Sequence, residues 1–311
     1  MAAETSSILL IAAQGVAASA AYLYASLGEG IGQRAGVYNL GVDGVILMGA
    51  FSAFYAVYSG LSPVVAVIIA ALVGLVFGVI MAFVSVTFKA EQGISGIGLY
   101  MLGLGLSTLL FDTLVKTPRP VSGGFVRVPI PVLSDLPIIG PVLFDQTPMV
   151  YGALLLVPVE WYVINRTTPG LNIRAVGQNP QAADAAGLNV TRIRYLSLMV
   201  GGALAGVAGA SLSIAQTNIF QQNMTNGLGF IAVALVYFGG WSPIGILFGA
   251  LLFSIVTTLQ LWIQTLGIGI SPSLISMLPS IVTIIALIFA VTAYKTQTPA
   301  ALGVAYRRDE N

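Results

Sequence analysis

Residues 165–194 read NRTTPGLNIRAVGQNPQAADAAGLNVTRIR, a polar island in an otherwise greasy chain. The island holds Arg166, Arg174, Arg192 and Arg194, four of the twelve basic residues. Long apolar runs flank it on both sides. Of the whole sequence, 57% is hydrophobic and only 7% charged, with a mean hydropathy of +0.94. Soluble domains carry about 25% charged residues, so these 311 residues are expected to form a membrane protein, with the island outside the bilayer.

A bilayer core about 30 Å thick takes roughly 20 apolar residues per helix. Spans are predicted at 7–27, 38–58, 62–87, 93–115, 148–164, 195–215, 225–239, 243–265 and 273–294. The fold class is therefore all-α and polytopic, about nine transmembrane helices, eight to ten by this count. The second and seventh segments begin in Gly/Asn-rich sequence, and the seventh is short enough to be broken or re-entrant. Interrupted segments survive in a membrane only where protein or a water-filled cavity covers them. Met1–Ser7 lacks a basic region and reads as the lead-in to the first span rather than a cleaved signal.

Basic residues orient the chain. With 165–194 cytoplasmic, Arg34, Lys89, Arg166, Arg174, Arg192, Arg194, Lys295, Arg307 and Arg308 fall inside, and only Lys116, Arg119 and Arg127 outside. The N-terminus is then outside and the C-terminus cytoplasmic. The outer loop 116–147, with Pro118, Pro120, Pro129, Pro131, Pro137 and Pro141, is expected to form a stiff, partly extended cap. The organisation is a single transmembrane domain over 1–311. It comprises a first repeat at 7–115, the outer loop, the polar loop 165–194, a second repeat at 195–294 and a cytoplasmic tail at 295–311.

The repeat is faint. NLGVDGVILMGA (Asn39 to Ala50) and NGLGFIAVALVYFGGWSP (Asn226 to Pro243) each lead into a turn and a long apolar helix. Nine spans make the two copies run in opposite directions, and inverted repeats with interrupted helices at matching positions are a transporter signature.

Much chemistry is excluded. A net charge of +1 offers no basic footprint for nucleic acid. With no Cys and no His there are no disulfides, no thiolate or imidazole metal site, and no Ser-His or Cys-His catalysis. No catalytic or metal residue and no cofactor is assigned. The 36 glycines suit closely packed membrane helices.

Three stretches carry the functional reading. In the polar loop, Pro169-Gly170 breaks the preceding helix. A short helix follows, which Gln178 or Asn179 can cap, Pro180 can open and Gly187 can end, with a smooth face of Ala182, Ala183, Ala185 and Ala186. It is either an ordinary connector or a knob for a soluble subunit. In RAGVYNLGVDGVILMGA (Arg34 to Ala50), Asp43 stands four residues from Asn39, one helical turn away. It either pins the broken helix start, through Arg34 or backbone amides, or faces the substrate pathway with Asn39. In GLGFIAVALVYFGGWSPIG (Gly227 to Gly245), Gly239-Gly240 turns the chain and Trp241 is placed at the membrane interface. Asn226 and Phe230 are assigned to the pathway; Phe230, Tyr237 and Phe238 read as packing, or as a face on which a base stacks.

Of the other charges, Glu29 is paired with Arg34 and Asp112 with Lys116. Lys89 and Glu91 form a solvated turn, and Glu160 partners Arg166 or the loop. No chain of buried ionisable groups suggests a proton relay.

The stretch GLNIRAVGQNPQAADAAG (Gly170 to Gly187) resembles the coupling loop of the permease family shared by ATP-binding-cassette importers for branched-chain amino acids, simple sugars and nucleosides. Arg174, Ala175, Gly177, Asn179, Ala182, Ala183 and Gly187 match its R-A-x-G-x-N-x-x-A-A…G pattern, and the resemblance extends from about Gly30 to Ile285. The stretch from Arg34 is similar to the R-x-G-V-x-N-[IL]-G-x-[ED]-G form of the nucleoside-type branch, with Asp43 where that branch often has Glu. The third stretch matches with Ser242 in place of the usual Asn or Asp.

The resemblance implies a type II importer-like permease subunit in a bacterial inner membrane, forming half of a pathway for nucleosides by alternating access. The implied partners are a separate ATPase subunit that binds ATP and Mg, a second permease subunit (a longer paralogue, in a heterodimer), a substrate-binding lipoprotein of the basic-membrane-protein group, the small-molecule substrate and membrane lipid. No G-x-x-x-x-G-K-[ST] motif occurs in the chain. The alternatives are a permease of the same family for simple sugars or another small polar solute, and an ion-coupled secondary transporter. An intramembrane enzyme lacks a nucleophile-base pair.

Overall fold

The structure is a computed structural model, and it describes all residues except 1, 116, 118–120, 122, 138, 267–270, 294–297 and 308–311. The chain is mostly helical, at 75%. Its helices are α1 (Ala2–Arg34), α2 (Val42–Tyr58), α3 (Pro63–Ala82), α4 (Gln92–Leu114), α5 (Pro148–Arg166), α6 (Thr168–Gln178), α7 (Pro180–Ala185), α8 (Val190–Ala210), α9 (Leu228–Phe238), α10 (Pro243–Thr265), α11 (Pro272–Ser276) and α12 (Leu278–Ala293). A π-helical turn extends α3 over Phe83–Thr87, and another extends α8 over Ser211–Gln216.

Helix starts follow local chemistry. Pro63, Pro148, Pro169, Pro180, Pro243 and Pro272 occupy first-turn positions, where a missing N–H costs nothing and φ is already set. Glu91, Thr167, Asn179 and Asn189 accept from the first-turn amides of α4, α6, α7 and α8.

Among the described residues, six segments are long and apolar enough to cross a membrane: Leu9–Arg34, Pro63–Thr87, Gln92–Leu114, Pro148–Arg166, Val190–Gln216 and Pro243–Thr265. Three expected spans are shorter apolar helices: Val42–Tyr58, Leu228–Phe238 and Pro272–Ile285. The shortening has a cause at two of them. The turn from Asn39 to Gly41 delays α2 until Val42, and Gly227, at φ +86°, delays α9 until Leu228.

The core is built on α1 and α8, whose spans are 61% and 56% buried against 28% for α4. Along the α3–α8 seam a methyl on Gly74 would meet the Gly202 carbonyl, and one on Gly206 would meet the Ala70 carbonyl. The two backbones touch because no side chain separates them.

In the outer loop, β1 (Val128–Pro129) pairs antiparallel with β2 (Asp145–Gln146), and an exposed Arg127–Asp145 ion pair of 3.7 Å lies beside them. Amides of Val121 and Phe125 donate to the carbonyls of Asn218 and Ile214, fastening this loop over the end of α8. Lys116, Arg119, Lys295 and Arg308 lie outside the described residues, and so does the expected Asp112–Lys116 pair. Asp112 accepts from Gln222 at 2.8 Å.

Candidate functional site

At the polar island, α5 ends at Arg166 and α6 begins at Thr168. The break therefore falls at Thr167, two residues before Pro169, and the Pro-Gly pair lies in the first turn of α6. The expectation of one short helix becomes two, because residues 168–178 are helical as well. Asn179 is the only residue between them, and its side chain accepts from the Ala182 amide at 3.0 Å. Gly187, at φ +86°, ends the second helix as expected.

The residues chosen from sequence separate by depth. Asn179, Ala182 and Gly187 are exposed, while Arg174 and Ala175 are half-buried and Gly177 and Ala183 are buried. Gly177 is excluded from any docking face, since a methyl there would strike the Arg34 carbonyl. The outward face comprises Gln178, Asn179, Gln181, Ala182, Ala185 and Ala186, with little side-chain bulk or charge.

Behind that face lies a polar knot at the end of α1. Glu29 accepts from Gln33 at 3.1 Å and from the Asn39 amide at 2.9 Å. Gln33 in turn accepts from the Trp241 indole at 2.9 Å, and the Arg34 guanidinium donates to the Trp241 carbonyl at 2.7 Å. Two sequence expectations are corrected here. Glu29 bonds Gln33 and Asn39 rather than Arg34. Trp241 is no interfacial anchor: it is 4% exposed, because Gly240 (φ +59°) and Trp241 itself (φ +57°) turn its ring inward. Glu160 is buried within electrostatic reach of Arg34, and Arg166 sits over the Trp161 ring instead.

Further into the bundle, Asp43 is fully buried, and both carboxylate oxygens are engaged across the molecule. One accepts from the Thr225 hydroxyl at 3.0 Å, the other from the Gly229 amide at 2.7 Å. A carboxylate at the start of α9 meets amides without helical partners and the positive end of the helix dipole. Asp43 therefore pins a broken helix start, but that of α9 rather than α2. Asn39 lies outside α2, where its side chain accepts from the Gly41 amide at 2.8 Å, so the two do not share a helix face. Thr225 was not legible as a partner; nothing local marks it.

Asn226 (φ +43°) and Phe230 are exposed at the other side of the α9 start, with Phe230 edge-on to Tyr100 at 5.5 Å. Phe230 also lines an apolar cavity of ≈ 770 Å³ between α9, α10 and α12, with Tyr237, Trp241, Phe253 and Thr283. Asn39, Asp43 and Asn226 do not line it.

On the opposite flank, Glu91 caps α4 through the amides of Gly93 (2.9 Å) and Ile94 (2.6 Å), and the Tyr38 hydroxyl donates to it. These amide bonds hold its carboxyl below the usual glutamate range, while burial first and then the hydrogen bond to Glu91 push the Tyr38 hydroxyl up. The expected solvated turn is thus also a cap.

The chain is similar to the "Putative glucose ABC transporter permease protein TsgC13" of Haloferax volcanii, 36% identical over 94% of this chain and 96% of that protein. It is 32% identical to the "Nucleoside ABC transporter permease protein NupC" of Lactococcus lactis, over 91% of this chain and 92% of the relative. It is also 32% identical to the "Guanosine ABC transporter permease protein NupQ" of Bacillus subtilis, over 93% of each chain. The family described as branched-chain amino acid transport system / permease component matches residues 11–287. With that match spanning all six long helices and the α6–α7 pair, this multi-pass membrane chain belongs to the branched-chain amino acid transport system permease family of ABC transporters.

Proposed function

We propose that this chain is the permease subunit of an ATP-driven importer of nucleosides, forming half of the translocation pathway beside a second permease. The observation that carries it is the α6–α7 pair, which offers a smooth exposed face of Asn179, Ala182, Ala185 and Ala186 between two long spans. In this reading that face seats on a separate cytoplasmic ATPase, with Gly187 at its edge. Arg174, Ala175, Gly177 and Ala183 hold the face from behind. Asn226 and Phe230 border the pathway, while Asn39 and Asp43 fix the turns next to it. All nine apolar segments cross or enter the membrane as two inverted repeats, with α2 and α9 as the interrupted helices.

The described ends support a common cytoplasmic side: the tail amide of Ala301 donates to the Gly177 carbonyl, and that of Gly303 to the Gly36 carbonyl. Arg34, the polar loop and the tail therefore share one end of the bundle, which the basic residues make cytoplasmic. The N-terminus is then outside, in a bacterial inner membrane.

Cargo is read from the relatives and from the Asn39–Gly44 sequence: two nucleoside- or guanosine-named permeases stand at 32% identity, and a glucose-named one at 36%. A glucose-type sugar is accordingly the second reading. Lactococcus lactis also has the "Nucleoside ABC transporter permease protein NupB", of which the chain covers only 67% against 92% of NupC. That pairing of a shorter and a longer permease supports a heterodimer here, with a substrate-binding lipoprotein delivering the cargo.

The test is uptake by vesicles containing this permease, its paired permease, the ATPase and the binding protein. Labelled guanosine should accumulate only with ATP, and unlabelled glucose should not compete. Glucose accumulation would favour the second reading. Guanosine uptake that survives ATP depletion would favour an ion-coupled carrier.

A further inference from the structure

We propose that residues 298–307 form a clasp, anchored on Arg194, that joins the coupling helices to the end of α1 so that their motion is delivered to the pathway. This rests on the α6–α7 pair being the ATPase-facing element.

The need for a clasp follows from the hinges. Only Thr167 separates α5 from α6, and only Asn179 separates α6 from α7, each in an extended conformation. Two single-residue hinges let the pair swing without moving a span. Three tail contacts oppose that swing. The Ala301 amide donates to the Gly177 carbonyl at 2.9 Å, tying the tail to α6. The Gly303 amide donates to the Gly36 carbonyl at 3.2 Å, tying it to the end of α1. Tyr306 packs against the buried cluster of Val176, Ala183 and Val190, which draws one residue from each of α6, α7 and α8. Pro299 and Ala301 are buried.

Arg194 is the post. It lies in the first turns of α8 and is 1% exposed. Its Nε donates to the Ala35 carbonyl at 3.2 Å and its Nη1 to the Val304 carbonyl at 3.0 Å. A guanidinium presents several donors in one rigid plane, so a single side chain can hold two backbones in register. Its charge also lies at the C-terminal end of α1, where the helix dipole favours a cation. Gly177 completes the joint, because its missing side chain lets α6 rest on the Arg34 carbonyl. Arg34 donates in turn to Trp241, in the turn between α9 and α10. A displacement of α6 thus has a contiguous route through α1 to the short helix α9. Arg194 is a positioning residue in this scheme.

The experiment measures cargo accumulated and ATP hydrolysed in the same vesicles of the full complex, normalised to bound ATPase. The chains compared are wild type, Arg194→Met, Arg194→Lys, Ala301→Pro and a chain ending at Thr298. The clasp predicts that the ATPase stays bound and keeps hydrolysing ATP, while cargo moved per ATP falls about tenfold in Arg194→Met and the shortened chain. Ala301→Pro removes the N–H that reaches Gly177 and fixes the local backbone; its ratio should fall in the same direction, which keeps the clasp testable where the shortened chain does not insert. Arg194→Lys should recover part of the ratio, because the charge remains but the two-point grip is lost. An unchanged ratio of cargo to ATP overturns the clasp, and so does a loss of both in proportion to lost ATPase. Wild-type vesicles without ATP-driven uptake would instead overturn the importer reading, and the clasp with it.

Discussion

The two short helices α2 and α9 look alike in sequence, each entered through Asn and Gly, yet the molecule uses them differently. Fourteen of the seventeen residues of α2 are buried, whereas α9 buries six of eleven and leaves Phe230 and Tyr237 exposed. Neither has a side-chain cap of its own. Instead α2 supplies Asp43, and α9 receives it at Gly229 and Thr225. One helix is packed nearly all round, while the other is bound near both ends, through Asp43 and through Trp241, and keeps an exposed face between.

The comparison breaks most severely at the carboxylate that joins the two helices. Asp43→Ala leaves the Thr225 hydroxyl and the Gly229 amide buried without an acceptor, a loss of about 3–5 kcal/mol from two hydrogen bonds to a charged group. The expected outcome is a lower melting temperature and little inserted protein, whereas Asp43→Asn, which keeps one acceptor and gains a donor, should recover much of both. Equal stability of Asp43→Ala and wild type would mean that α9 is not held this way.

A backbone change probes the same joint from the other side. Gly229→Ala places a methyl against the Asp43 backbone nitrogen, and separating the two helices should cost about 1–3 kcal/mol. Gly105→Ala, where a methyl meets nothing within 4 Å, is the control and should melt as wild type does.

The exposed face at the start of α9 gives a smaller effect on stability and a selective one on transport. Phe230→Ala removes a half-exposed ring and its edge contact with Tyr100, worth about 1 kcal/mol. It should leave melting nearly unchanged and raise the concentration of nucleoside needed for half-maximal uptake. Unaltered uptake would return Phe230 to packing alone.

The smallest expected effect is at Glu91, on the α2–α4 flank. Its folded carboxyl is held below the usual range, so its capping contribution is present above that range and is lost as pH falls through the folded value. Glu91→Gln should therefore melt slightly below wild type at neutral pH. The gap should close on acidification beneath the ordinary glutamate range.

What was legible in the sequence was local. Asn179, Pro180 and Gly187 announced α7 because a cap, a first-turn proline and a left-handed stop act within a few residues. The six long spans were legible for the same reason, being runs of apolar side chains. The cross-molecule bonds were not. Asp43 and Thr225 stand 182 positions apart, and Trp241 and Gln33 208; no spacing rule links them. Trp241 was misread because its ring direction is set by two residues at positive φ, which the sequence marks only by Gly240. Helix α6 was missed because Pro169-Gly170 reads as a break, whereas both residues are tolerated in a first turn. The buried role of Gly177 depended on where α1 ends.

The central claim is that the exposed face of α6–α7 seats on a separate ATPase, and bulk added to that face tests it most directly. Ala182→Trp and Ala185→Trp change side chains exposed in this chain, so the permease should insert and melt as wild type. The decisive measurement is the amount of ATPase that copurifies with each variant. The account predicts that ATPase recovery and ATP-driven uptake are both lost while the melting temperature is kept. Full ATPase recovery with normal uptake would contradict it.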